Sequence, residues 1–373
     1  MSWTGVQAAV YDAAPPMARD PLDQLDPTLP RRRFLQAGAA AAFLCTIGGE
    51  KVVLARRGDA AKADAAAAKV KPPPKEPVDG QTFVTPKPQE GGREVEYWIQ
   101  ARTAKWTIVP SKRDDWHGRA IAGPTTFKAA VYQHMTEGFA APLGPPGIPG
   151  PTLHGEVGDT IVVHLRNNLT DLDQAVTMHP HGVRYTPEYD GVYLGDYTRA
   201  GGFVEPGKEF TYTWECVPES VGAWPYHDHG PNHTLNTFRG MFGGLVVRPK
   251  GESVPAVEHV LFLHQLAPPV TGLTRAFQCV NGRAYAGNTP IIRAQVGQEV
   301  ALHVIGMDNN FHDFHIHGHR WKDAAGAFVD TPTVGPNETT SVRFVEDNPG
   351  RWLYHCHVFS HQDGGMAGWY LVE

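Results

Sequence analysis

Across most of its length the chain alternates. From Glu94 to Val109 the apolar positions Val95, Tyr97 and Ile99 recur at every second residue, the period of a strand with one buried face. Apolar runs at residues 157–166, 211–214, 223–229 and 244–248 continue the pattern between Gly-, Pro- and Asp-containing turns. Further strands are predicted at residues 257–264, 277–280, 291–304, 339–344, 352–355 and 368–372. Residues 144–152, dense in Gly and Pro, read as an ordered loop, and residues 115–137 show no period and read as a surface loop. The expected fold class is all-β. Two units are expected, residues 93–250 and 251–373, each with a His-x-His pair early and another late.

The N-terminal quarter reads differently. Arg31-Arg32-Arg33-Phe34-Leu35 precedes a short Ala-rich apolar run, the pattern of a twin-arginine export signal within residues 1–55, and the run is too short to span a membrane. Met17 is an alternative start. Residues 56–92 are rich in Ala, Lys and Pro without apolar periodicity and read as a disordered linker. The destination expected from the leader is the periplasm, the cell surface or the exterior. The formal net charge of −6, with no basic patch, argues against a nucleic-acid partner. Four cysteines are too few for a disulfide scaffold. Cys216 and Cys279 are open to two readings, an interdomain disulfide or two buried thiols.

The chemistry concentrates in His355-Cys356-His357, together with His361 and Met366 a few residues downstream. In a strand His355 and His357 face one way and Cys356 the other, so one segment can serve two metal sites back to back. Cys356, His361 and Met366 with one more histidine make the His2Cys set with a weak axial Met of a blue-copper centre. Parity in residues 312–317 supplies that histidine. His315 and His317 share a face, and His312 lies opposite, free to join Cys356. Two more pairs, His179/His181 and His227/His229, complete four His-x-His motifs. Tetrahedral zinc needs four ligands, and this set overfills it. Overlaying the two halves puts Val176 on His312, Asp228 on Cys356 and Phe238 on Met366, so only the second unit keeps the blue-copper set. The remaining histidines, His164 and His303 among them, read as structural, with a supporting role open for His319.

These motifs, Thr177–Gly182, Tyr226–His229, Phe311–Trp321 and His355–Met366, resemble those of the multicopper oxidases, most closely the two-domain bacterial small laccases. The resemblance implies two cupredoxin-like Greek-key β-barrels, assembled as a homotrimer with clusters between subunits. It implies four coppers per subunit: type 1 on His312, Cys356, His361 and Met366, type 2 on His179 and His315, and type 3 on His181, His227, His229, His317, His355 and His357. It implies four one-electron oxidations of a phenolic or metal-ion donor coupled to reduction of dioxygen to two waters. Asp190 is then the candidate for proton delivery and Tyr185 a redox-active tyrosine, while the Asp-Gly pair at 190–191 also suits an ordinary turn. Gln362 stands where some relatives carry a carboxylate, and Asp363 comes directly after it. A Cu(I) or Mn(II) oxidase, a copper nitrite reductase and a non-catalytic copper protein are the alternatives.

Overall fold

A computed structural model describes residues 78–373, together with 70, 72–76 and a short hairpin, Leu44–Ile47 against Glu50–Val53. Most of the expected leader and of residues 56–77 lies outside the described residues. Four large sheets make up the folded part, in two face-to-face pairs. The first pair holds strands ordered Glu209–Glu215, Thr160–Asn167, Glu94–Thr107, Thr126–Met135, and Leu153–Glu156, Phe242–Arg248, Gly222–His227, His179–Pro180. The second pair holds Phe277–Val280, Val257–Leu266, Glu299–Gly306, Thr339–Val345, and Ile292–Ala294, Ala367–Val372, Gly350–Cys356, His312–Ile316, Thr333–Val334. The all-β expectation holds.

The internal repeat is visible in the pairing. Each sandwich has one parallel pair in each sheet: Glu94–Thr107 with Thr160–Asn167 and Leu153–Glu156 with Phe242–Arg248 in the first, Val257–Leu266 with Glu299–Gly306 and Ile292–Ala294 with Ala367–Val372 in the second. Each also turns from its His-bearing strand into a short helix, His233–Phe238 in one and Phe359–Asp363 in the other.

Among the described residues three apolar cores result. One fills each sandwich, around Trp214 and Tyr226 in the first and around Phe314 and Tyr354 in the second. The third joins them, with Phe127, Val131 and Phe242 of the first packed against Phe262, Phe277 and Tyr285 of the second. That third core explains two departures from the expected elements. Residues 126–135 are a ten-residue strand paired along Glu94–Thr107, not loop. Ala130 and Tyr132 enter the first core while Phe127, Ala129 and Val131 enter the joining core, so both faces are apolar and the alternation is lost. Only the short hairpin Arg113–Asp114/Arg119–Ala120 and its flanks are turn-like. Likewise Phe242–Arg248 is buried at every position. Its Gly243 admits the Tyr226 ring, since a Cβ there would stand 2.3 Å from the Tyr226 Oη. The run expected at 291–304 is two strands, broken at Gly297, whose φ of +89° belongs to a turn.

Cys216 and Cys279 are both buried free thiols in different cores, so the disulfide reading is not met. Residues 78–92, which composition placed in the linker, lie against the first sandwich through hydrogen bonds at Asp79, Gln81, Thr85 and Gln89. Among the described residues no helix is long and apolar enough to cross a membrane.

Candidate metal centres

The strand Gly350–Cys356 organises the second sandwich's chemistry. Its register sets His355 opposite His315 and Cys356 opposite Phe314 on the neighbouring strand His312–Ile316. Cys356, Phe314 and Ile316 point into the core, and His315 points out. The parity read from sequence is therefore realised, and two groups of donors form on opposite faces of one strand pair.

The inward group is His312, Cys356 and His361, all buried. The Cys356 Sγ lies 3.9 Å from His312 Nδ1 and 3.7 Å from His361 Nδ1, and accepts the Asp313 backbone N–H at 3.4 Å. Met366 is fully buried in the same core, and its carbonyl accepts the Cys356 N–H. Burial pushes the Cys356 thiol up, but the hydrogen bonds from His312 and His361 outweigh it and bring it down to about 7. The thiolate, the form that ligates metal, is thus accessible near neutrality.

The outward group is His315, His317 and His355, with His357 beside it, its ring 5.3 Å from that of His355. The His317 and His355 Nε2 atoms face each other at 3.1 Å. His355 Nδ1 is fixed by the Cys356 carbonyl at 2.9 Å and His315 Nδ1 by the Asp330 carbonyl at 2.9 Å. A carbonyl partner requires Nδ1–H, which leaves the Nε2 lone pair for a metal.

The first sandwich repeats this device. His179, His181 and His227 form a third group, with His181 and His227 Nε2 atoms 3.1 Å apart. His227 Nδ1 donates to the Asp228 carbonyl and His179 Nδ1 to the Asp190 carbonyl, at 2.8 and 2.7 Å. His229 stands alongside, its ring 5.2 Å from that of His179, with a buried Nδ1 that has no hydrogen-bond partner. Burial, reinforced by neighbouring imidazoles, pushes His181 and His229 down to about 4 and His227 to about 3, and His355 falls to about 4 for the same reasons. These imidazoles are neutral at pH 7, as metal ligation requires.

Asp190 also places Oδ1 3.1 Å from His179 Nδ1, and Tyr185 packs its ring 5.8 Å from that of His179 while hydrogen-bonding Asp190. Burial, then the Asp190 charge, pushes the Tyr185 phenol up to about 12. The residue matching Cys356 in the first sandwich, Asp228, is fully buried and saturated by Thr177 N, Gly230 N and Asn236 Nδ2. A hydrogen-bonded carboxylate fills what would be the thiolate's place there. His319 donates Nδ1–H to the His317 carbonyl at 2.8 Å and sets Nε2 3.1 Å from Glu346. His164 and His303 bond Thr211 and Ser341.

Two neighbours of the sites were not foreseen. Asp308 Oδ1 lies 3.1 Å from His312 Nε2, and Trp116 stacks at 6.1 Å on His355. Asp308 could have been sought four residues before His312. Trp116, from a hairpin of the first sandwich, has no signal in local sequence.

Comparison with known proteins agrees with this arrangement. Two family models described as multicopper oxidase match residues 146–252 and 262–373. A probable nitrite reductase-hydroxylamine oxidoreductase fusion protein of Kuenenia stuttgartiensis is 30% identical over 256 residues, 61% of this chain and 28% of that protein. The ferroxidase HEPHL1 of Mus musculus is 26% identical over 74% of this chain and 29% of its own length. The chain therefore spans under a third of the length of these curated relatives. The blue copper oxidase of Nitrosomonas europaea superposes with a TM-score of 0.56 at 25% identity, over 75% of this chain and 86% of that one. The chain belongs to the multicopper oxidases, a family of copper-binding oxidoreductases, and its two sandwiches are cupredoxin-like.

The donor sets fit copper. A buried thiolate with two imidazole Nδ1 atoms, and a methionine buried in the same core, suits a soft redox metal, and the neutral imidazole pairs suit copper equally.

Proposed function

We propose that the protein is a laccase-like oxidase, coupling four one-electron oxidations of phenolic or similar donors to reduction of dioxygen to two waters. The observation that carries this reading is the single strand end on which Cys356 faces one donor group and His355 the other. Copper, when bound, supplies the one-electron redox steps and the binding of dioxygen. His312, Cys356, His361 and Met366 would hold the type 1 ion. His179 and His315 would hold type 2, and His181, His227, His229, His317, His355 and His357 type 3.

The chain's own residues then divide the work. Of the two type 1 histidines, His312 is fully buried and turns Nε2 to Asp308, while His361 keeps some exposure on the helix Phe359–Asp363. Electrons enter more directly at His361. The Cys356 backbone and side chain join that entry to His355 and His357. Asp190, held beside His179, would hand protons into the space where dioxygen is reduced, and Tyr185 stays protonated beside it.

The two outer histidine groups are distinct within one chain. This supports assembly as a homotrimer in which the first sandwich of one subunit meets the second sandwich of the next, completing each cluster. The Arg31–Leu35 motif supports export by the twin-arginine route to the periplasm, cell surface or exterior. A metal-ion oxidase is the second reading, favoured by the ferroxidases among the relatives. The test is oxygen uptake by the copper-loaded protein with a phenol, Fe(II), Cu(I) or Mn(II), with nitrite reduction run in parallel. Uptake with the phenol and no peroxide is expected. Uptake with metal ions alone moves the protein to the second reading, and nitrite turnover without oxygen uptake rejects both.

A further inference from the structure

The loop that carries Asp190 is clamped from outside by a segment that composition marks as mere tether. Arg199, 7% exposed at its side chain, is the centre of the clamp. Its guanidinium donates to both carboxylate oxygens of Asp79, at 2.8 and 3.0 Å, to the Gln81 carbonyl at 2.7 Å and to Glu188 Oε1 at 3.2 Å. The Phe83 ring lies 5.3 Å from the same guanidinium, and the Thr85 and Tyr189 hydroxyls share a 2.6 Å hydrogen bond. Farther on, Gln89 N–H bonds the Gly158 carbonyl. Residues 79–89 thus form a strap across the turn Pro187–Tyr189. From within, the same turn is held by the Trp214 Nε1–H on the Tyr189 carbonyl at 3.0 Å. Asp190 is the next residue, and its carbonyl and carboxylate both meet His179 Nδ1.

We infer that residues 79–85 are a working part of the metal centre: the Asp79–Arg199–Glu188 clamp and the Thr85–Tyr189 bond position Asp190 against His179. This rests on the reading of His179 as a copper ligand and Asp190 as its proton-handling neighbour. The physical case is one of rigidity. One guanidinium nitrogen, Nη2, reaches both Asp79 oxygens while Nη1 takes the Gln81 carbonyl and Glu188, so charge-assisted bonds to three residues fix the group's orientation as well as its distance. Here the guanidinium is nearly all buried, so losing Asp79 leaves its charge underpaired beside the turn. Hydrogen-bond partners behind a ligating histidine commonly govern metal affinity or activity by about 10–100-fold. The strap stands one step farther out, and the lower end of that range is expected.

The test uses the full chain, copper-loaded, with Asp79→Ala/Thr85→Val together, Arg199→Met, and Asp79→Glu as the conservative variant. Glu76→Gln, on an exposed residue before the strap, is the control. Two readouts are taken: the rate at which a chelator removes the type 2 EPR signal, and turnover with a phenol. For the double variant, about tenfold faster loss of that signal and about tenfold lower turnover are expected, with the blue band unchanged. Asp79→Glu is expected to recover most of both. Loss and turnover within twofold of the parent in the double variant would overturn the inference and leave the segment a tether. If Arg199→Met fails to fold, the double variant decides alone. A parent protein that takes up no copper would overturn the oxidase reading, and this inference with it; a copper-loaded, active parent with an unaffected double variant overturns the strap alone.

Discussion

Glu258→Gln is expected to destabilise the joined sandwiches, by an amount that depends on pH. Arg248 ends the last strand of the first sandwich, and Glu258 stands second in the first strand of the other. Glu258 Oε2 accepts a hydrogen bond from Arg248, and Oε1 faces His303 Nε2 at 3.4 Å; the two charged side chains are only 10% and 12% exposed. Arg248 also donates to His154 Nδ1 at 3.2 Å. Burial pushes the Glu258 carboxyl up, but the His303 hydrogen bond and the Arg248 charge overcome it and hold it below the usual value. A carboxyl depressed in the fold stabilises it fully above its unfolded value, about 4.3, and that contribution fades as pH falls through the lower folded value. Removing one partner of a buried pair costs about 3–5 kcal/mol, because the other charge remains uncompensated. The partial exposure here favours the lower end, about 3 kcal/mol at pH 7. At about 2 °C per kcal/mol for a unit of this size, Tm should fall by about 6 °C. Thermal and urea unfolding of Glu258→Gln and parent from pH 7 down to about 3 measures this. The deficit should shrink in acid, where the parent's carboxylate takes up its proton. Replacing both residues with Arg248→Met/Glu258→Leu should recover most of the loss, since apolar substitutes of similar volume often match a buried pair. A deficit under about 0.5 kcal/mol at pH 7, or one that does not change in acid, would refute the reasoning.

Asp190→Asn should retain copper but lose about 10²-fold or more in turnover, the range for removal of a positioned proton donor, measured by oxygen uptake against copper content. Cys356→Ser should abolish the intense blue band while leaving the type 2 EPR signal, since the outer groups do not use the thiolate. Gly243→Val should cost at least about 1–3 kcal/mol, because even its Cβ collides with the Tyr226 hydroxyl, as read by urea unfolding. Phe262→Ala should cost about 3–5 kcal/mol by opening the core that joins the sandwiches, read as a lowered unfolding midpoint.

How much of the fold and the sites was legible in the sequence depended on how many faces each strand buries. Glu94–Thr107 mixes inward and outward positions and was readable. Thr126–Met135 buries both faces, one in its own sandwich and one in the joining core, so its apolar residues fall at consecutive positions and the sequence looked patternless. The donor sets were readable because strand parity is local: alternation sets His312 on the face opposite His315 and Cys356 opposite His355, and the family resemblance then pairs the two segments. The partners that tune them come from distant segments. Asp190 could be named through the family resemblance, its local Asp-Gly pair reading as a turn, whereas Trp116 beside His355 depends on a hairpin crossing between sandwiches. The strap at 79–85 was hidden for a further reason. Its hold is made mostly by scattered polar contacts, so residues 79–85 show no apolar period, and the Pro- and Lys-rich stretches on either side, 71–75 and 86–88, made the whole segment read as a tether.

In the proposed oxidase, one strand of this chain joins a blue copper to a cluster completed by a second copy. The measurement that tests it most directly is copper content, with visible and EPR spectra, taken separately on the monomer and oligomer fractions of the loaded protein. The expected result is one blue copper per chain in both fractions, with the three-copper cluster, its near-ultraviolet band and oxygen uptake confined to the oligomer. A monomer carrying the full complement and consuming oxygen would contradict the shared cluster. An oligomer with only one or two coppers and no oxygen uptake would contradict the oxidase.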